Sequence, residues 1–179
     1  MSLNKLKKYP ELLEILHLSP KERNISLRNI FNRDIEENEN FSFRAKRIYP
    51  VKSDGIADMD RQFIHLTCEE VVEEDENGER YAKRVFDKDR SMRLHWILYH
   101  VEERLPDKIT IFSVEERDAK ERKKVIKTYI YDRKEKYIIV LHPQRAGNAY
   151  FLLSAYYLNR SYGVKEIEKK LKKRLPDIY

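Results

Sequence analysis

The sequence is poor in cysteine and glycine, and each shortage excludes a class of protein. Cys68 is the single cysteine, so the chain can form no internal disulfide and no cysteine-based zinc cluster. The 179 residues include only 4 glycines, and none belongs to a glycine-rich phosphate loop, which disfavours nucleoside-triphosphate chemistry. A reducing, intracellular environment fits this composition, and we expect a cytoplasmic protein.

Long apolar runs and familiar catalytic motifs are also missing. No apolar stretch approaches the length that spans a membrane, and the start of the sequence has no signal-peptide core. His95 and His100 are too far apart in sequence to share a helix face as zinc ligands do. Ser154 lies outside a nucleophile elbow, and Cys68 has no diagnostic context. We therefore expect no membrane association, no metal ion and no cofactor.

Charged residues are plentiful instead. Lysine and arginine outnumber aspartate and glutamate by 37 to 31, for a net charge of +6, which weakly favours a polyanionic partner. Residues 117–136 hold nine basic and four acidic residues, with Tyr129, Tyr131 and Tyr137 in or beside them. Basic side chains beside aromatic rings suit single-stranded RNA, because bases stack and cations hold phosphates. A solvated charged hairpin is the alternative interpretation.

The first third of the chain is predicted to be mainly helical. Leucine and isoleucine residues between positions 12 and 18 indicate one helix, and Ser19 followed by Pro20 is typical of the start of another, ending near Ile35. These would form an αα-hairpin that either packs on the rest of the chain or binds a protein partner. Residues 41–60 are predicted to be a connector with a short strand near 43–48.

A β-hairpin comes next in the prediction. Residues 62–73 and 79–86 have strand character, and the Asn77-Gly78 pair between them is a strong turn signal. The order of these segments predicts two antiparallel strands immediately before the central helix.

An amphipathic helix over residues 87–103 is the element around which the prediction is built. Asp87 is suited to be its N-cap, and Arg90 falls on the inward apolar stripe. The first turn of a helix disfavours a buried cation unless an anion is near, so Arg90 is placed either to hold a phosphate or to pair with Asp87 or Glu69.

Four strands and a helix complete the chain. The strands are expected at residues 108–114, 125–131, 137–142 and 149–158, and the helix at 164–174. The predicted fold class is α+β, with a helix packed on a mostly antiparallel sheet in the order ββ-α-ββββ, an N-terminal helical hairpin and a C-terminal helix. We expect residues 1–60 to form the helical extension and connector, and residues 61–179 the α+β domain.

Several short motifs occur in an order that resembles one nuclease superfamily. They are HLT at 65–67, FDKDRSMRLHWI at 86–97, the ITIFS strand, the YIIVL strand and LLSAYYL at 152–158. Over residues 62–160 the chain resembles the phage-encoded barnase–EndoU–colicin–RelE-like nucleases, which include RNase and toxin domains. Ser154 stands where that superfamily more often has threonine, and the hydroxyl is kept.

The resemblance implies metal-independent cleavage of RNA, in which a 2′-hydroxyl attacks the neighbouring phosphate. Such a reaction needs a general base, a general acid and cations on the phosphate. The residues matched to the motifs as catalytic are His65, Arg90, Ser154 and Tyr156. Those expected to bind substrate are Thr67, Arg93, Lys127, Tyr129 and Arg145.

Structural roles remain open for the same residues. His65 suits proton transfer near neutral pH, but a histidine in a strand can equally be satisfied by a backbone carbonyl. Tyr156 can be a packing tyrosine. His95 lies out of phase with the inward stripe and is predicted at the flank or surface of its helix, and with His142 it forms a lesser pair of acid–base candidates. The alternative function is a non-catalytic module that binds RNA or protein.

Overall fold

The structure is a mixture of helices and strands in which an antiparallel-rich sheet is central. The computed structural model describes residues 3–50, 52–53, 56–105, 107–118, 122–144 and 148–179. Its α-helices are α1 (Pro20–Phe31), α2 (Met59–Thr67), α3 (Lys88–Ser91), α4 (Trp96–Val101) and α5 (Ser161–Lys172). Its strands are β1 (Ser42–Phe43), β2 (Lys46–Pro50), β3 (Lys52–Ser53), β4 (Ile56–Ala57), β5 (Cys68–Glu74), β6 (Arg80–Phe86), β7 (Ile109–Arg117), β8 (Lys124–Asp132), β9 (Tyr137–Pro143) and β10 (Ala149–Tyr157).

The main sheet has six strands in the order β1-β2-β10-β9-β8-β7. The last four strands of the chain lie where the sequence predicts strands and pair as antiparallel neighbours. The sequence did not predict that β2 joins the sheet, parallel to β10. The two strands pair only over residues 149–152, so the second half of β10 has no strand beside it on that side in the described ranges.

Each face of the sheet carries a hydrophobic cluster. On the first face, Ile139 and Tyr150 pack with Trp96 of α4 and with Leu13 and Ile30 from the N-terminal segment. On the second face, Ile138 and Val140 pack with Ile167 of α5. Residues from both sides of the expected domain division near residue 60 therefore share the first cluster.

The predicted N-terminal αα-hairpin was wrong. Residues 12–15 have no regular secondary structure; the Asn4 side chain bonds to both the N–H and the carbonyl of Glu14. Leu13 is fixed by a backbone hydrogen bond to Met92. These tertiary contacts replace the helix that the leucines suggested.

The second predicted helix does begin at Pro20, where Ser19 and Glu22 form a capping box, and a π-helical turn continues it through Asn32–Glu36.

The strand predicted over residues 62–73 was wrong in its first half. Asp58 caps α2 by accepting a hydrogen bond from the Arg61 N–H, and Phe63 and Leu66 are buried from this helix. The strand begins only at Cys68. The turn at Gly78 was predicted correctly, and this glycine has φ of +80°, a conformation that costs glycine little.

The ββ-α-ββββ arrangement is also different from the expectation. Strands β5 and β6 form a separate two-stranded sheet outside the main one. The expected helix over 87–103 is divided into α3 and α4, with turns through residues 92–95 between them. Asp87 does cap the first piece, accepting from the Arg90 N–H at 3.0 Å.

None of the helices within the described ranges is both long enough and apolar enough to cross a membrane.

Candidate functional site

Arg90 is the residue that joins the elements of the candidate site. Its Nη1 donates to the carbonyl of His65 at 2.6 Å and to the carbonyl of Cys68 at 2.9 Å. The helix α2 ends between these two residues, so the guanidinium satisfies carbonyls that the helix leaves without partners. The Asp87 carboxylate lies 3.5 Å from Nε, and the Arg90 side chain is only 14% exposed. Arg90 is thus inward, as predicted, and much of its bonding capacity serves the backbone.

Tyr156 lies against Arg90 at the end of β10. The Arg90 guanidinium carbon is 5.7 Å from the centre of the Tyr156 ring, within cation–π range. Burial is the main cause of a raised pKa for Tyr156, so its hydroxyl is protonated and able to donate at neutral pH. Ser154 is two residues earlier on the same face, after an irregularity in the β9–β10 register. The structure therefore brings Arg90 and Tyr156 together, and Ser154 lies two residues from Tyr156 on the same strand.

His65 reaches this neighbourhood from α2 rather than from a strand. The residue is half-buried, and burial is the largest of the effects that lower its pKa. The charges of Arg84, Arg61 and Arg90 lower it further, which places three cations within electrostatic range of the imidazole. A histidine in this setting is neutral at pH 7 and can accept a proton.

The cations around His65 differ in how they are held. Arg84 pairs with Glu70 across the β5–β6 hairpin at 3.0 Å, and its side chain is 29% exposed. Arg61 is exposed on α2. The sequence reasoning did not identify either arginine. Arg84 lies opposite Glu70 because the turn is one residue longer than the Asn77-Gly78 pair predicts; a two-residue turn would place residue 84 opposite residue 71.

Lys127 and Tyr129 face α5 on the second side of the sheet. Glu116 accepts from the Tyr129 hydroxyl at 2.7 Å and from Lys170 Nζ at 2.5 Å, and Lys127 Nζ lies 3.4 Å from it. Tyr129 is 2% exposed, and burial followed by the bond to Glu116 raises its pKa. Glu116 and α5 therefore occupy the groups that were expected to form an open basic floor.

Thr67 and Arg93 are engaged within the protein. The Thr67 hydroxyl is buried and donates to the carbonyl of Phe63 at 2.8 Å. Arg93 donates to the carbonyl of Asp89 and stacks on Tyr157, with its guanidinium carbon 4.0 Å from the ring centre. Arg93 is adjacent to the end of β10, but its guanidinium group is already in contact with the Asp89 carbonyl and the Tyr157 ring.

The remaining candidates lie elsewhere. His142 on β9 is paired with Phe151 on β10. It lies four residues along β9 from Ile138, the residue paired with Tyr156, which is a distance of roughly 13 Å. The prediction that His95 lies at the flank or surface of its helix was wrong, since this residue is 1% exposed beneath the N-terminal segment. Burial lowers its pKa to about 4. Arg145 lies outside the described residues.

A buried polar network near α4 was missed by the sequence reasoning. Asp132 accepts from the Tyr9 hydroxyl at 2.6 Å and lies 3.2 Å from His100 Nε2. His100 Nδ1 is 2.7 Å from the carbonyl of Trp96. Both ring nitrogens of His100 therefore face oxygen atoms inside the protein. His100 and Asp132 are 0% exposed, and their contacts fasten the half-buried Tyr9 to the sheet.

Comparisons with known proteins give no match for this chain. No family model matches it, and no curated protein and no solved structure is significantly similar. Within the described residues, no group of three or more histidine, cysteine, aspartate or glutamate side chains is arranged to hold a metal ion. The resemblance to the nuclease superfamily stays a prediction.

Proposed function

We propose that the chain is a metal-independent ribonuclease whose site is formed by His65, Arg90 and Tyr156. The observation that carries the proposal is the position of Arg90, which donates to the backbone of His65 and lies 5.7 Å from the ring of Tyr156. A neutral imidazole, a protonated phenol and several guanidinium groups are the components that phosphate transfer requires.

In the proposed reaction the RNA supplies its own nucleophile. His65 takes the proton from a 2′-hydroxyl as its oxygen bonds to the adjacent phosphorus. The bond from phosphorus to the 5′-oxygen breaks, and Tyr156 gives that oxygen a proton. The products are a 2′,3′-cyclic phosphate and a free 5′-hydroxyl, so no water or cofactor is consumed. Arg84 and Arg90 stabilise the charge on the phosphate oxygens.

The test is cleavage of single-stranded RNA in the presence of chelator. We expect His65→Gln and Tyr156→Phe each to reduce the rate about 100-fold or more, the range for loss of a general acid or base. His142→Gln is the matched control, because it replaces another half-buried histidine at a distance from the site. Thermal unfolding should be similar for all variants. The proposal fails if the wild-type protein cuts no RNA, or if the site variants cut as fast as the control.

One observation favours a second function, RNA binding without cleavage. Arg90 Nη1 is already committed to two backbone carbonyls, so Arg90 has less capacity to bind a phosphate. A module of this kind would bind RNA with a steep salt dependence and leave it intact. The cleavage assay distinguishes the two functions.

A further inference from the structure

Helix α5 has an inward face that is fully used within the protein. Ile167 is buried in the second cluster, with Val164 and Leu171 packed against it. Lys170 donates to Glu116 and to the Tyr129 hydroxyl, and Glu168 holds Arg133 at 2.8 Å. The helix is therefore fastened to the sheet by apolar and charged contacts, and its apolar face is not available to a membrane.

Three lysines on the outward face of α5 and a fourth at its C-cap form a row of exposed cations. We call these residues the lysine stripe, and they follow the spacing that places side chains on one side of a helix. They are Lys165, Lys169, Lys172 and Lys173. All four side chains are exposed. Glu166 borders the stripe.

The charges of the lysine stripe are not neutralised by carboxylates. In the part of the chain that the structure describes, none of the four lysines lies within 4.0 Å of a carboxylate. Elsewhere exposed cations commonly have acidic partners, for example Lys83 with Glu73 and Lys124 with Glu115. Four unpaired charges along one side of α5 and its C-cap produce a local positive potential that attracts a polyanion.

The helix that carries the stripe also borders the candidate site. Tyr156 and Val164 both pack against the cluster that contains Ile167. Glu166 is near enough to raise the pKa of Tyr156, although less than burial does. A strand of nucleic acid held at Tyr156 therefore has α5 as its neighbour on the second side of the sheet.

We propose that the lysine stripe binds the phosphates of a single RNA strand that continues from the candidate site. The choice of RNA rests on the proposed function, whereas the presence of a polyanion-binding face rests on the unpaired lysines. The stripe then contributes affinity for long substrates and takes no part in the chemistry. A contact of this kind is purely electrostatic and independent of base sequence.

The experiment compares two variants that lose equal charge. One replaces all four stripe lysines by glutamine, and the other replaces four lysines of the N-terminal segment: Lys5, Lys7, Lys8 and Lys21. The probe is 2′-O-methyl polyuridylate, which binds as RNA does but lacks the nucleophilic hydroxyl. The measured quantity is the dissociation constant as a function of salt concentration.

We expect the stripe variant to bind at least ten-fold more weakly than the control variant at low salt. The slope of log affinity against log salt should become shallower by about 2 to 3, since each phosphate contact on a single strand contributes about 0.7. Equal slopes for the two variants would overturn the proposal. So would binding of phosphatidylserine vesicles that depends on the stripe while the polyuridylate does not bind.

The same experiment separates this proposal from the ribonuclease proposal. If binding depends on the stripe but unmodified RNA is never cut, the stripe stands and the enzyme does not. If short RNA is cut while both variants bind polyuridylate alike, the enzyme stands and the stripe does not.

Discussion

Arg90 illustrates how one residue can satisfy a structural and a functional interpretation together. The sequence placed it on the inward stripe and left two explanations, a phosphate or a carboxylate partner. The structure adds a third, two backbone carbonyls at the end of α2, and also shows Asp87 at 3.5 Å. A guanidinium has five N–H donors, so these contacts leave donors that can still face a phosphate near Tyr156.

His95 should make the protein less stable in acid. Its ring nitrogens are buried without hydrogen-bond partners, and burial lowers its pKa to about 4, an effect that the nearby Glu11 backbone offsets only in part. Between about pH 6.5 and pH 4, His95 binds a proton in the unfolded chain but not in the folded chain. Stability is therefore complete above pH 6.5 and is lost as the pH falls, by about 3 kcal/mol for this group alone.

Urea denaturation across this pH range checks the prediction. The His95→Gln variant should show a free energy of unfolding that depends less steeply on pH than that of the wild-type protein. His17→Gln is the control, since His17 is exposed. Parallel pH curves for wild type and His95→Gln would contradict the account of His95.

At the scale of elements, Arg90 should fasten α2 to the strand and helix that follow it. Replacing Arg90 by alanine leaves two inward carbonyls without a charged donor, and we expect a loss of about 2 to 4 kcal/mol in the free energy of unfolding. Arg90→Lys should recover part of it, because an ammonium retains the charge but not the planar fork.

The matched control for this prediction is Arg80→Ala. Arg80 pairs with Glu74 at 3.5 Å on the hairpin, but its side chain is 79% exposed, so its removal should change stability by less than about 0.5 kcal/mol. An Arg90→Ala variant as stable as Arg80→Ala would show that the carbonyl contacts contribute little. The expected instability is also the reason that Arg90→Ala is a poor test of catalysis.

Some elements could be predicted because their sequences contain the whole cause of their structure. The alternation in β8 and the continuous apolar run of β9 are enough to define buried strands, and Gly78 is enough to define a turn. The prediction for the segment containing His65 was wrong because a strand was predicted without regard to the helix N-cap at Asp58. Asp58 falls within the predicted connector, although its position before Phe63 and Leu66 is typical of a helix start.

Other features depend on distant contacts that no local pattern contains. The helical phase of residues 87–103 predicted an exposed His95, but the N-terminal segment covers it and turns at 92–95 shift the phase of α4. The basic floor at Lys127 and Tyr129 was recognisable as a charged face. That Glu116 and Lys170 would neutralise and cover it could not be seen from β8 alone.

At the scale of the whole molecule, segments far from the sheet in sequence cover its exposed parts. Leu175 donates a backbone hydrogen bond to Ser113 on the outer strand β7. The carbonyl of Tyr179 accepts from Thr128 and from the Tyr150 hydroxyl, at 2.8 and 2.6 Å. The crossing satisfies the Ser113 carbonyl on an edge strand, which would otherwise be free to pair with another chain. The N-terminal segment covers the first face in a similar way through Tyr9 and Leu13.

These coverings leave the end of β10 as the place where the sheet, α2 and α3 meet beside several cations. His65 is the residue there that can act as a base, and its pKa is lowered below the ordinary histidine value by burial and by Arg84. The base must be neutral to work, so activity should be lost only when acid protonates it.

The most direct test is therefore to measure kcat/KM for RNA cleavage as a function of pH, with a metal chelator present. The wild-type rate should stay constant as the pH falls to about 6.5 and decline only below it. The His65→Gln variant should be slower throughout and lack that decline. A wild-type protein that cleaves no RNA at any pH, or a variant with the wild-type profile, would contradict the assignment of this site.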